Sequence, residues 1–148
     1  MKTIPNDCFF AWVEQEIRCG RSVRFRMKGN SMLPLLREGK DEVLLSACRA
    51  EDLKRWDVVL FHYKGRHILH RFIKKEGDCY RMQGDGVCAF HEECEGEDII
   101  GIAKQVYRPS GKPVSVSSFR WRMESRLWRG LGRFRGIALR LMNRLFKD

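Results

Sequence analysis

The chain has 148 residues, 43% of them apolar, and this length predicts one domain with enough apolar side chains to form a core. Lys and Arg outnumber Asp and Glu by 29 to 19, and the formal net charge of +10 favours a polyanionic partner such as nucleic acid or an anionic membrane surface. No apolar stretch approaches the roughly 20 residues that span a bilayer, and acidic residues interrupt the first 16 positions, so we expect neither a transmembrane helix nor a signal peptide.

Hydrophobic periodicity predicts an N-terminal helix followed by short strands. Residues 6–19 carry apolar side chains at helical spacing, and Gly20 follows where a helix commonly ends. Residues 23–28 alternate apolar and basic side chains, which is typical of a half-buried strand. Further strand-like runs, separated by turn residues, cover residues 42–46, 57–63, 66–73, 79–83 and 99–107. This spacing predicts a mainly β fold with a curled or barrel-like antiparallel sheet.

The positive charge is concentrated in the last 30 residues. Residues 119–148, here called the tail, contain nine basic and two acidic residues and have a net charge of +7. Residues 1–118, here called the body, contain 20 basic and 17 acidic residues and have a net charge of +3. A nearly balanced body disfavours a uniformly basic nucleic-acid-binding domain.

The tail predicts one basic amphipathic helix over residues 119–147. Apolar side chains recur every three or four positions, at Leu127, Leu131, Phe134, Ala138, Leu141 and Leu145. Three glycines each lower the helix propensity by roughly 1 kcal/mol relative to alanine, so this helix needs a surface on which to fold.

Two surfaces suit such a helix. On an anionic membrane, Trp128, Leu131 and Phe134 would enter the headgroup region, while Arg133 and Arg140 would meet lipid phosphates. The alternative is packing against the body or against a partner subunit, with the arginines in solvent. Nucleic acid is the least favoured partner of the tail.

The six cysteines are scattered and include no CxxC pair. Without an export signal, reduced thiols are expected. Cys88, His91 and Cys94 are residue types that bind zinc, but they lack the paired spacing of zinc sites. Free thiols are therefore the favoured interpretation, and we predict no metal or other cofactor.

Residues 29–45, GNSMLPLLREGKDEVLL, contain the strongest functional signal. Ser31 follows a glycine at a break after a strand, where a hydroxyl can be exposed and nearby backbone N–H groups can bind an oxyanion. A serine at such a turn more often caps the turn or faces water, so this position gains its significance from the surrounding segments.

This segment resembles the nucleophile box of the signal peptidase I superfamily, whose pattern is roughly GxSMxPxLxxGDxV. Four further segments resemble boxes of that family in the same order, namely RWDVVLF at 55–61, ILHRF at 68–72, YRMQGDG at 80–86 and DIIGIA at 98–103. The resemblance covers residues 25–107. It implies the family's curled, partly open antiparallel barrel, here with an N-terminal helix and a basic C-terminal helix.

The resemblance also implies a serine endopeptidase. Ser31 would be the nucleophile, and His70 stands where the bacterial members have lysine, as in the archaeal and endoplasmic-reticulum members. An imidazole, with an unperturbed pKa near ~6.5, is already a competent base at neutral pH. Met32 and Pro34, which belong to the nucleophile box, are predicted to contact the substrate.

The sequence contains more than one candidate for the third catalytic residue. Asp85 matches the aspartate of the family's GD box and is predicted to orient the His70 imidazole. The family's second downstream aspartate is absent, however, and Glu92 or Glu93 is an alternative.

The leading hypothesis is a cytoplasmic enzyme, or one bound peripherally to the cytoplasmic face of a membrane. It would cleave a leader peptide or precursor protein that binds as an extended strand. One alternative is a repressor-type peptidase module that cleaves itself or a partner, which the missing lysine disfavours. The other is a catalytically inactive peptide-binding protein with the same fold.

Overall fold

The computed structural model of the chain describes residues 6–26, 29, 31–88, 90–132 and 134–145. The described helices are α1 (Asn6–Arg18), α2 (Phe119–Gly130) and α3 (Phe134–Leu145). The described strands are β1 (Val23–Arg26), β2 (Glu42–Ser46), β3 (Val58–Tyr63), β4 (Arg66–Glu76), β5 (Cys79–Gln83), β6 (Glu92–Cys94), β7 (Ile99–Tyr107) and β8 (Pro113–Ser115).

The strands form one sheet in the order β1-β2-β7-β3-β4-β5-β6, and β8 pairs with β7 outside this path. Every described strand pairing is antiparallel. Bulges interrupt the β2–β7, β3–β7 and β4–β5 pairings, and bulges increase the local twist of a sheet. The sheet therefore curls into a half-barrel with helices at both ends, which confirms the mainly β, curled antiparallel fold.

The buried apolar residues form two clusters. The larger one contains Val13 and Ile17 of α1, alternate residues of the first two strands, and Trp121 and Trp128 of α2. In β2, Val43 is fully buried while its neighbours are half-buried, as the two-residue period of a strand requires. The smaller cluster lies among β3, β4, β5 and β6. Both the N-terminal helix and the first helix of the tail thus cover the body's larger core.

Most strands lie where alternation predicts them. The predictions for residues 42–46, 79–83 and 99–107 match β2, β5 and β7, and the N-terminal helix ends one residue earlier than predicted. Residues 27 and 28, at the end of the first predicted strand, lie outside the described residues. Alternation in the sequence does not predict β6 and β8, which have three residues each and are too short to show a period.

The prediction of one continuous tail helix is wrong. The chain forms two helices, and Gly132 between them has φ +55°, in the left-handed region that favours glycine. In α2 the buried side chains are Trp121, Ser125 and Trp128, which recur at helical spacing. The described helices are all too short or too polar to cross a bilayer.

Candidate active site

The backbone of Ser31 is attached to the turn that follows β5. Ser31 is half-buried, and its carbonyl oxygen accepts a hydrogen bond from the N–H of Gly86 at 2.8 Å. On its C-terminal side, the Leu36 N–H donates to the Met32 carbonyl at 3.0 Å and closes a tight turn. The serine segment therefore lies directly beside the Gly84–Gly86 turn, although more than 50 residues separate them in sequence.

His70 lies in β4, opposite Val59 of β3, and is 5% exposed. Its Nδ1 is 3.0 Å from Oε2 of Glu92, which is also buried and lies in β6. An ionised carboxylate only accepts hydrogen bonds, so in the neutral form of the imidazole this contact would place the proton on Nδ1 and leave the Nε2 lone pair free. Phe61 packs edge-on against the ring, with centroids 6.3 Å apart, and further restricts its orientation.

Gly84 brings the serine segment and the imidazole together. A Cβ at this position would overlap the Ser31 carbonyl oxygen and would lie 2.9 Å from His70 Nε2. The φ of Gly84 is not in the left-handed region, so glycine is required here for space. The structure describes both Ser31 and His70, and the Ser31 hydroxyl makes no hydrogen bond to the His70 imidazole. In proteases such bonds often tighten only when substrate binds.

Asp85 does not orient His70, so the predicted contact is wrong. Its side chain is fully buried, and Oδ2 accepts a hydrogen bond from Nε of Arg71 at 3.0 Å. Arg71 follows His70 in β4, and successive side chains of a strand point to opposite faces of the sheet. Asp85 therefore lies on the face opposite the imidazole, and the partner of His70 is Glu92, which the sequence analysis named only as an alternative.

Two arginines of the tail, Arg129 and Arg135, contact Gln83 next to the Gly84–Gly86 turn. Arg135 is buried, the Arg129 side chain is 7% exposed, and each guanidinium donates through Nη2 to Oε1 of Gln83 at 2.9 Å. Burial lowers the pKa of Arg129 to about 10, and the nearby Arg135 adds to this effect. Oδ1 of the Asp85 carboxylate lies 3.5 Å from Nη1 of Arg129. The tail thus helps to hold the turn that contacts both Ser31 and His70.

The substrate-contact prediction fails for Met32. Met32 is 1% exposed and belongs to the larger core cluster, so it offers no surface to a bound peptide. Its burial follows from the tight turn that points this side chain inward. Pro34 is half-buried, and its contact with substrate stays a prediction.

The tail residues that were predicted to contact a membrane differ in their exposure. Trp128 is 8% exposed and donates its indole N–H to a backbone carbonyl of the buried turn at 2.9 Å, so its predicted membrane contact is wrong. Leu131, Phe134 and Arg140 are exposed. Arg133 lies outside the described residues.

The side chains of Cys88, His91 and Cys94 do not form a cluster of metal ligands among the described residues. In the part of the chain that the structure describes, three ligand atoms lie within 4.8 Å of one another only at Glu14, His62 and His67. Cys88 is exposed, and burial raises the pKa of the Cys94 thiol to about 12, which keeps it protonated and unreactive at neutral pH.

The arrangement around Gly84 has the parts that acyl transfer needs. They are a serine next to an imidazole, a free imidazole nitrogen on the serine side, and a buried carboxylate on the other nitrogen. No protein-family model matches the chain, and no curated protein is significantly similar to it. The functional assignment therefore depends on this geometry and on the sequence segments described above.

Proposed function

We propose that the protein is a serine endopeptidase with Ser31 as nucleophile, His70 as general base and Glu92 as the residue that orients the imidazole. One observation carries the proposal. Gly84 adjoins both the Ser31 backbone and His70 Nε2, while buried Glu92 holds Nδ1 at 3.0 Å. The five segments that resemble the signal peptidase I superfamily support the same assignment from the sequence.

The mechanism follows from these positions. The Ser31 hydroxyl attacks the scissile carbonyl and gives its proton to His70 Nε2, and His70 then protonates the leaving amine. Water, activated by the same imidazole, hydrolyses the acyl-enzyme. Glu92 stabilises the imidazolium that forms in both steps. The Ser31 backbone N–H is the first candidate for binding the oxyanion.

The substrate is a leader peptide or a precursor protein, bound as an extended strand. Among the described strands, β6 ends the sheet, and its outer edge has no strand partner. An extended peptide can pair with such an edge through main-chain hydrogen bonds. Because β6 also carries Glu92, a peptide bound there would lie close to the imidazole.

The exposed side of the tail suits an anionic lipid surface at the cytoplasmic face of a membrane. On α2, Phe119, Met123 and Leu127 are exposed at four-residue spacing, and at ~100° per residue Arg120 and Arg126 flank this stripe. On α3, the exposed apolar residues are Phe134, Ile137, Leu141 and Leu145, and Arg140 and Arg144 lie along one side of this stripe. Apolar stripes with basic borders are typical of helices that lie in a membrane interface.

Vesicle cosedimentation tests this placement. The double variant Leu127→Ser and Leu141→Ser should bind vesicles of phosphatidylglycerol and phosphatidylcholine at least several-fold more weakly than the parent protein. Asn143→Ser, an exposed position on the other side of α3, is the matched control and should bind normally. Equal binding by the double variant would contradict the membrane proposal and favour a protein partner.

The alternative of an inactive peptide-binding protein is favoured by the missing hydrogen bond between the Ser31 hydroxyl and His70. A proteome-derived peptide library, incubated with the purified protein and anionic vesicles and analysed by mass spectrometry, separates the two functions. The parent should produce discrete new cleavage sites that Ser31→Ala and His70→Ala both abolish. Ser110→Ala and His91→Ala, at exposed positions, are the controls. Cleavage that persists in Ser31→Ala, or no cleavage by the parent, would overturn the endopeptidase proposal.

A further inference from the structure

A second group of polar side chains lies between α1 and the β3–β4 hairpin. Glu14 of α1 faces His62 of β3 and His67 of β4, and the two histidines are paired directly across the hairpin. His67 and His70 are three residues apart in β4, so their side chains point to opposite faces of the sheet. This group is therefore separate from the proposed catalytic residues.

The three side chains converge on one point. Oε2 of Glu14 is 2.8 Å from Nε2 of His62 and 3.4 Å from Nε2 of His67, and all three ligand atoms lie within 4.8 Å of one another. Tetrahedral zinc, with bonds of about 2.0–2.1 Å, separates its ligand atoms by about 3.3 Å. The observed separations bracket this value, so an ion requires only small side-chain movements.

Neighbouring residues fix the orientation of two of the three groups. Arg18 binds the other oxygen of Glu14, Oε1, at 2.7 and 3.2 Å, and leaves Oε2 directed at the imidazoles. Phe10 stacks on the His67 ring with a 5.4 Å centroid distance and a 14° interplanar angle. Such outer contacts orient metal ligands and raise affinity. The charge of Arg18 opposes a cation, but its side chain is 71% exposed and solvent screens it.

The group is partly open to solvent. The His62 side chain is 35% exposed, whereas those of Glu14 and His67 are 16% and 12% exposed. A metal bound to the three protein atoms would therefore keep a position for water. Two imidazoles, one carboxylate and one water form a donor set that zinc accepts readily.

We propose that Glu14, His62 and His67 bind a zinc ion, with water as the fourth ligand, and that this ion fastens α1 to the β3–β4 hairpin. Since α1 covers the larger core with Val13 and Ile17, zinc binding should stabilise the whole body. The proposal does not depend on the endopeptidase function, because these ligands lie on the other face of β4.

Thermal unfolding of the full-length protein tests the proposal. The protein is stripped with a chelator, kept reduced, and unfolded with and without zinc chloride. Saturating zinc should raise the unfolding midpoint by on the order of 5 °C or more, with about one zinc bound per chain by titration calorimetry. His62→Gln and His67→Gln should each weaken zinc binding at least tenfold and remove the midpoint shift. The absence of a shift in the parent, or an unchanged shift in both variants, would overturn the proposal.

The free thiols require their own control. A Cys88→Ser and Cys94→Ser double variant should keep both the zinc stoichiometry and the midpoint shift. X-ray absorption of the zinc-loaded parent should show only nitrogen and oxygen ligands at about 2.0–2.1 Å. This measurement remains informative even if a histidine variant fails to fold. A sulfur ligand at about 2.3 Å, or zinc loss in the cysteine variant, would assign the ion to the thiols and contradict the proposed site.

Discussion

His70 and Arg71 are adjacent in β4, and each is paired with a buried carboxylate, but on opposite faces of the sheet. On one face, His70 keeps Nε2 free toward Gly84 and Ser31 while Glu92 holds its other nitrogen. On the other face, Arg71 directs its guanidinium to Asp85 and to the Trp56 carbonyl. The imidazole of the first pair adjoins the Gly84 turn and the Ser31 backbone, whereas the second pair is fully enclosed. Under the proposed function, the first pair takes part in catalysis and the second pair stabilises the fold.

The largest effect on the cleavage rate should come from breaking the His70–Glu92 pair. Glu92→Gln retains the shape of the side chain but no longer stabilises the imidazolium or the correct tautomer. By analogy with the serine protease triad, the rate of peptide cleavage should fall by about 10³–10⁴-fold while the midpoint of unfolding changes little. Glu93→Gln, an exposed neighbour in β6, is the matched control and should keep the parent rate. Parent-like cleavage by Glu92→Gln would remove Glu92 from the mechanism.

Breaking the Arg71–Asp85 pair should lower the free energy of unfolding, whereas the catalytic residues stay in place. Asp85→Asn leaves the buried Arg71 guanidinium and the neighbouring Arg129 guanidinium without the carboxylate that faces them. Removing one partner of a buried ion pair typically costs about 3–5 kcal/mol, which urea denaturation should detect. Asp78→Asn, in an exposed turn, should leave stability unchanged. If Asp85→Asn instead keeps the parent stability and loses cleavage, the roles of the two carboxylates are reversed.

A smaller effect should follow from adding one methyl group between the serine segment and the His70 imidazole. Gly84→Ala places a Cβ against the Ser31 carbonyl and His70 Nε2, so the two groups must separate. A displacement of about 1 Å can cost about 10²-fold in rate, which initial cleavage rates would measure. Gly136→Ala meets no atom within 4 Å and should leave the rate unchanged. Equal rates for both variants would show that Gly84 does not set this distance.

The sequence predicted the position of His70 better than it predicted the carboxylate that pairs with it. Residues 66–73 alternate clearly, so β4 and the position of His70 within it were accessible from the pattern. The partner of His70 was predicted only as the alternative Glu92 or Glu93, because the segment EEC of β6 is short and acidic and reads as a solvent-exposed loop. Pairing across 22 residues depends on sheet register, which a local pattern does not contain.

The tail shows a different limit. Its sequence contains two apolar faces at helical spacing, one through Trp121 and Trp128 and the other through Leu127 and Leu141. The leucine-rich face is the longer of the two and was predicted to contact another surface, whereas the two tryptophans are the residues buried against the body. The position of Gly132 within the segment marked the end of the first helix, and its conformation became apparent only in the structure.

The most direct test of this account is a long-range proton–nitrogen NMR spectrum of the His70 imidazole in the full-length protein. The account predicts a protonated Nδ1 and a proton-free Nε2 at neutral pH, because Glu92 accepts the Nδ1 proton. This pattern should be lost in Glu92→Gln and retained in Asp85→Asn. A proton on Nε2 in the parent, or a spectrum that changes with Asp85 and not with Glu92, would contradict the division of roles between the two faces of β4.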